Sequence, residues 1–129
     1  EYQGRFLFDG AHNIGGAKAL REYLDEFVDP PITMIFAAMK DKEVGEIAQI
    51  LFPKADRLIL TKPENSRALD PEEIVRQLAT AFDPRGVFIT NNVADALSKA
   101  DEVTESRGLI LVTGSLYLIG EVKKLLKQR

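Results

Sequence analysis

The chain predicts a doubly wound α/β domain, and three observations predict it. Five short apolar runs recur along the sequence, nearly continuous rather than alternating, as in strands buried on both faces of a parallel sheet. Helical patterns with one apolar face lie between and after them, and β-α alternation of this kind closes by right-handed crossovers. Proline steps at Pro30-Pro31, Phe52-Pro53 and Asp83-Pro84 punctuate the elements. The predicted architecture is three layers, α/β/α, around a mainly parallel sheet of five or six strands.

The first predicted strand, Arg5–Asp9, turns at Gly10 and enters a helix past Gly15 and Gly16 whose apolar face is Ala17, Leu20, Leu24 and Phe27. The second, Thr33–Ala37, leads through Lys40-Asp41-Lys42, a solvated charge run with Asp41 as cap, to a helix carrying Val44, Ile47, Ala48 and Leu51. The third, Arg57–Thr61, precedes the polar stretch Lys62-Pro63-Glu64-Asn65-Ser66-Arg67. Asp70-Pro71-Glu72-Glu73 then opens a helix with Ile74, Leu78 and Phe82 inward, Asp70 suiting the cap and Pro71 the first turn. The fourth, Val87–Thr90, feeds a helix with Val93, Ala96, Leu97 and Ala100 on one face. The fifth, Leu109–Thr113, feeds through Gly114 and Ser115 into a last helix with Leu118, Val122, Leu125 and Leu126. Lys123, Lys124, Lys127 and Arg129 near its end offset the helix dipole.

Composition narrows the function classes. The 129 residues suffice for one domain with a real core, and 45% apolar with 29% charged residues is ordinary for a soluble fold. A net charge of −3 argues against a nucleic-acid footprint. The absence of cysteine excludes disulfides, thiolate metal sites and a cysteine nucleophile, and fits a reducing compartment. A single histidine excludes a multi-histidine metal site. No apolar stretch is long enough to span a bilayer, and no signal peptide is visible.

In a parallel sheet the C-terminal strand ends share one rim, where ligands bind. Residues 9–16 form a strand-to-helix turn there, offering unpaired helix N–H groups and the positive dipole end to an anion. The spacing from Gly10 to Gly15 resembles the start of the phosphate loop G-x-x-x-x-G-K-S/T. Gly16-Ala17 stands where Lys-Ser or Lys-Thr is needed, so a standard triphosphate cradle is excluded. Two readings stay open. In one, Asp9 holds ribose hydroxyls and His12 donates to a phosphate oxygen; in the other, Asp9 organises the turn and Asn13 caps the helix. Arg67 suits bidentate recognition of a carboxylate, or is an exposed loop arginine. Ser115 and the amides after it bind a second anion, or Ser115 is an N-cap only; without a G-x-S-x-G elbow it is no nucleophile.

The segment Phe8-Asp9-Gly10-Ala11-His12-Asn13, followed by Gly16-Ala17 and Ala19-Leu20, resembles the "DGAHN" opening of the C-terminal domain of folylpolyglutamate synthase/dihydrofolate synthase, the folate branch of the Mur ligase superfamily. Met39-Lys40-Asp41-Lys42-Glu43 is similar to that family's "M-x-D-K-D" loop. The run from Val112 through Thr113-Gly114-Ser115-Leu116-Tyr117-Leu118 to Gly120-Glu121-Val122 is similar to its closing "TGSLYL-GEV" segment. The first and third matches are specific, and the three span most of the chain in order.

The resemblance implies a Rossmann-like domain of an ATP-dependent, ADP-forming ligase that adds L-glutamate to folate, dihydropteroate or both through an acyl phosphate. ATP and Mg2+ are the implied cofactors, with the phosphate loop and metal ligands in a larger preceding domain and none of the metal ligands in this chain. The implied partners are ATP, L-glutamate, folate or dihydropteroate, and the N-terminal domain of the same enzyme, with no nucleic acid and no membrane, in a cytoplasmic monomer. On this reading residues 1–129 are one C-terminal-type domain of a longer chain, inactive alone. The family's nucleotide-contacting aspartate falls on Asp9, with Asn13 beside it. Its histidine near the phosphates and incoming glutamate falls on His12, the expected catalytic residue, and its loop serine near the amino acid on Ser115. Arg67 is placed by topology, as the arginine holding the incoming amino acid's carboxylate. The family's proline after Asn13 is replaced by Ile14. The rival readings are a peptidoglycan-type Mur ligase and a stand-alone α/β signalling module. A phosphoacceptor module would need an acidic pair after the first strand and an aspartate after the third, where this chain has Asp9 alone and Thr61.

Overall fold

The computed structural model describes residues 1–40, 43–78 and 86–129. Its strands are β1 (Tyr2–Gln3), β2 (Phe6–Asp9), β3 (Ile32–Phe36), β4 (Arg57–Leu60), β5 (Val87–Ile89) and β6 (Leu109–Thr113). They form a six-stranded sheet in the order β1-β2-β6-β3-β4-β5. Every neighbouring pair is parallel except β1 with β2. The helices are α1 (Ile14–Phe27), α2 (Val44–Leu51), α3 (Pro71–Leu78), α4 (Val93–Val103) and α5 (Leu116–Lys127), and a 3-10 turn covers Phe52–Lys54.

The apolar strand runs are continuous because both sheet faces are covered. Leu7, Met34, Phe36, Leu58, Leu60 and Leu111 project into one core with α1, α2 and α3, represented by Leu20, Leu24, Ile47, Leu51 and Ile74. Their chain neighbours Phe8, Ile35, Ile59, Ile110 and Val112 project the other way, onto Val93 and Leu97 of α4 and Leu118 and Val122 of α5. That alternation is the strand period of two read across a buried sheet. The Phe36 and Phe52 rings meet edge to face at 5.0 Å, a favoured aromatic geometry.

Three details differ from the sequence reading. The edge strand β1 carries no apolar run and both its residues are exposed; Gly4, at φ +60°, turns it back onto β2. Phe27 is 65% exposed. It is the last residue of α1, the chain leaves in an extended Val28, and the ring rests on Tyr23 at 5.1 Å instead of on the sheet. The cap position of α2 is Glu43, which makes no side-chain cap hydrogen bond. The expectations for Asp41, Lys42, Phe82 and Asp83-Pro84 lie outside the described residues.

The strand order gathers the rim loops. Asp9 and Phe36 flank Thr113 in register, so the loops leaving β2, β6 and β3 emerge side by side at one edge of the sheet.

Candidate functional site

The turn after β2 is built by its own side chains. Asp9 Oδ1 accepts the Ala11 N–H at 2.9 Å, and Asn13 Oδ1 accepts the Gly16 N–H at 2.7 Å as the N-cap of α1. Asp9 thus shapes the turn and Asn13 caps the helix. These bonds fix the carboxylate at the strand end and direct the first turn of α1 toward the rim. Asn13→Ala is expected to cost about 1 kcal/mol of stability, read from the midpoint of urea unfolding.

His12 is exposed, and its Nδ1 lies 2.8 Å from the Gly10 carbonyl oxygen. A carbonyl only accepts, so Nδ1 carries a proton. The outward Nε2 is then an acceptor in the neutral ring and a donor only in the imidazolium. A tether of this kind orients the ring without using the nitrogen that faces outward.

Ser115 is buried at 2% exposure and caps α5, its Oγ accepting the N–H groups of Tyr117 at 3.1 Å and Leu118 at 3.4 Å. Its hydroxyl donates to Met39 Sδ at 3.7 Å. Gly114 precedes it at φ +102°. The β2 turn reaches the start of α5 directly, since a Cβ on Gly10 would stand 2.7 Å from Leu116 Cδ2.

The loops after β3 and β4 are clamped together. Met39 and Ala68 form an antiparallel bridge, Lys40 N–H donates to the Arg67 carbonyl at 2.7 Å, and Leu69 N–H donates to the Ala38 carbonyl at 2.9 Å. Asn65 Oδ1 accepts the Arg67 N–H at 2.9 Å. Glu121 of α5 reaches across to accept the Glu64 N–H at 2.7 Å.

Together these loops enclose a cavity of about 230 Å³ lined by His12, Met39, Arg67 and Ser115, with Asn65 and Tyr117 at its wall. Three of the five expected site residues, His12, Arg67 and Ser115, therefore meet in one pocket. Asp9 and Asn13 are not in its lining; Asp9 sits one strand away, in register with Thr113. The Thr113 hydroxyl is buried without a hydrogen-bond partner among the described residues. Met39, Leu116 and Tyr117 also line the pocket, and sequence reasoning did not assign them to it. The available signal was position, for Leu116 and Tyr117 precede the buried Leu118 and are 66% and 57% exposed.

A larger groove of about 1130 Å³ adjoins the pocket through Asn65 and Tyr117 and carries Lys40, Lys62, Asp70 and Lys124 on its walls. Lys62 Nζ pairs with Asp70 at 2.8 Å. Their hydrogen bond holds the Asp70 carboxyl below the usual carboxylate range and the Lys62 ammonium above the usual lysine range. Among the described residues no group of three or more histidine, aspartate or glutamate side chains gathers into a metal-holding cluster. No helix among the described residues is long and apolar enough to cross a membrane.

Comparison with known proteins gives a consistent result. The family described as dihydrofolate synthetase, C-terminal domain, matches residues 1–127. The dihydrofolate synthetase of Saccharomyces cerevisiae is 35% identical, over 92% of this chain and 30% of the yeast protein. The dihydrofolate synthase/folylpolyglutamate synthase of Mycobacterium tuberculosis is 30% identical, over 92% of this chain and 27% of that protein. The solved structure of Mycobacterium tuberculosis folylpolyglutamate synthase complexed with ADP superposes with a TM-score of 0.86 at 28% identity, covering 93% of this chain and 29% of that one. The chain thus spans under a third of these relatives.

Proposed function

Because the chain belongs to the family of dihydrofolate synthetase C-terminal domains, we propose that it is the glutamate- and nucleotide-contacting domain of an ATP-dependent ligase that adds L-glutamate to folate, dihydropteroate or both. Residues 1–129 act as a single domain joined to a preceding one that supplies the phosphate loop and the Mg2+ ligands, in a cytoplasmic, monomeric enzyme.

The observation that carries this reading is the convergence of His12, Arg67 and Ser115 on one small pocket beside the N-terminus of α1. A cavity of about 230 Å³ suits an amino acid rather than a pteridine-bearing substrate. Arg67 supplies a planar pair of donors for a carboxylate of glutamate, and the Ser115 hydroxyl a neutral one. Asp9 and the first turn of α1 face the nucleotide, the aspartate as acceptor for ribose hydroxyls and the helix amides toward anionic oxygen. His12 lies between the two, where its imidazolium donates toward the transferring phosphate. The acceptor carboxylate takes the γ-phosphoryl group of ATP and ADP leaves. The neutral glutamate amine then attacks the carbonyl carbon of the acyl phosphate, the amide C–N bond forms, the C–O bond to phosphate breaks, and the proton lost from nitrogen leaves with the phosphate. Catalysis at such a site is positioning and charge stabilisation.

The test is ADP release by the full-length protein with folate or dihydropteroate present. Release is expected to depend on L-glutamate, and Arg67→Ala to raise the KM for glutamate roughly ten- to a hundredfold by removing a charged hydrogen bond. ADP release indifferent to glutamate, or supported only by a nucleotide-linked peptide acceptor, would overturn the reading.

A further inference from the structure

We propose that Met39 tunes the affinity of the pocket for its carboxylate ligand by holding the Ser115 hydroxyl proton on a weak acceptor; this rests on the pocket being the glutamate site. The Ser115 oxygen lone pairs are taken by the Tyr117 and Leu118 amides, so the hydroxyl has only its proton left to place. In the structure that proton goes to Met39 Sδ at 3.7 Å. Ser115 is 2% exposed, so bulk water is no ready alternative. A thioether accepts weakly. It keeps the buried hydroxyl from standing unpaired and releases the proton at little cost when a carboxylate enters.

The backbone makes this pairing specific. Met39 is held by its bridge to Ala68 and by the Lys40–Arg67 hydrogen bond. The segment that presents the sulfur to Ser115 therefore also fixes the backbone of Arg67, which lines the same pocket. Met39 is thus a positioning residue that acts through Ser115. Its side chain has the same reach as glutamine and nearly the volume of leucine, so acceptor strength can be varied with little change in packing.

The experiment measures L-glutamate binding to the full-length protein by calorimetry, together with KM and kcat, for wild type, Met39→Leu and Met39→Gln. The glutamine amide oxygen is a stronger acceptor and competes with the ligand for the proton. Met39→Gln is expected to weaken glutamate binding and raise KM about fivefold, the size of one net neutral hydrogen bond, with kcat within about twofold of wild type. Met39→Leu offers no acceptor and is expected to bind as tightly as wild type or more tightly.

A second route changes the acceptor by oxidation of the wild-type sulfur. The chain holds two methionines, and Met34 is fully buried. Mild hydrogen peroxide transfers one oxygen to the Met39 sulfur, giving sulfoxide and water, and the S=O group is a strong acceptor. Oxidised wild type, with the sulfoxide placed at Met39 by mass spectrometry, is expected to bind glutamate as weakly as Met39→Gln, while peroxide leaves Met39→Leu unchanged. If wild type binds no glutamate, the reading of the pocket falls and this inference with it. If wild type binds but Met39→Leu and Met39→Gln move the affinity equally, or neither moves it, the pocket stands and Met39 is packing alone.

Discussion

Gly114→Ala is expected to lower the stability of the domain by about 3–6 kcal/mol, read as a large drop in the denaturant midpoint, with loss of the cooperative transition at the upper end. Two separate costs combine. The residue sits at φ +102°, a conformation that L side chains rarely adopt. A Cβ there would also stand 2.1 Å from the Ala37 carbonyl oxygen and 2.7 Å from the Phe36 ring. Neither neighbour can yield easily. Phe36 is 1% exposed and locked against Phe52, and Ala37 donates its own N–H to the Thr113 carbonyl. The clash therefore falls on backbone just past the ends of the two adjacent strands β3 and β6, where close packing leaves no slack. Gly120 is the internal control, since nothing lies within 4 Å of a Cβ placed there. Gly120→Ala in the middle of α5 should be neutral or stabilising, and an equal loss in both variants would show that the constraint at Gly114 has been misjudged.

The same residues explain what is legible in the sequence. The β2, β3, β4 and β6 runs are apolar on nearly consecutive residues, the pattern of strands covered on both faces, whereas the equally apolar β5 lies at the sheet edge and is only half-buried, with Ile89 44% exposed. Phe6-Leu7-Phe8 divides between the two cores, as does Leu58-Ile59-Leu60. β1 escapes because Tyr2 and Gln3 are exposed and carry no periodic signal. Placing Asp9, His12, Asn13, Arg67 and Ser115 in rim loops rests on topology alone, since a parallel sheet sends every strand end to one side. Which of them share a cavity does not come from topology. That depends on the clamp between Ala38–Lys40 and Arg67–Leu69, a pairing of two loops far apart in sequence with no periodic signature. The same clamp brings Met39 to Ser115, a contact between residues 76 positions apart. Asp9 and Asn13 show the opposite case. Their local hydrogen bonds are legible in the sequence as the alternative to ligand contact, yet a carboxylate that accepts the Ala11 N–H through Oδ1 is oriented by that bond.

His12→Ala is expected to reduce kcat of the full-length ligase by roughly 10²–10³, the range for removing one preorganised donor from developing charge, while leaving the unfolding midpoint unchanged. The fold should not notice the loss, because the ring is exposed and its hydrogen bond to the Gly10 carbonyl ends on a partly exposed turn. The chemistry should notice it, because that bond fixes the ring so that Nε2 faces outward, and donation from Nε2 requires the imidazolium. Two consequences separate this role from a merely local one. His12→Gln retains a neutral side-chain donor but not the charge, so it should recover part of the lost rate and not all of it. Arg67→Ala should instead act on the glutamate KM, because a carboxylate held equally in ground and transition states affects binding without affecting turnover. If His12→Ala and Arg67→Ala both raised KM alone, His12 would belong to substrate binding and the charge-stabilising role assigned to it would be wrong.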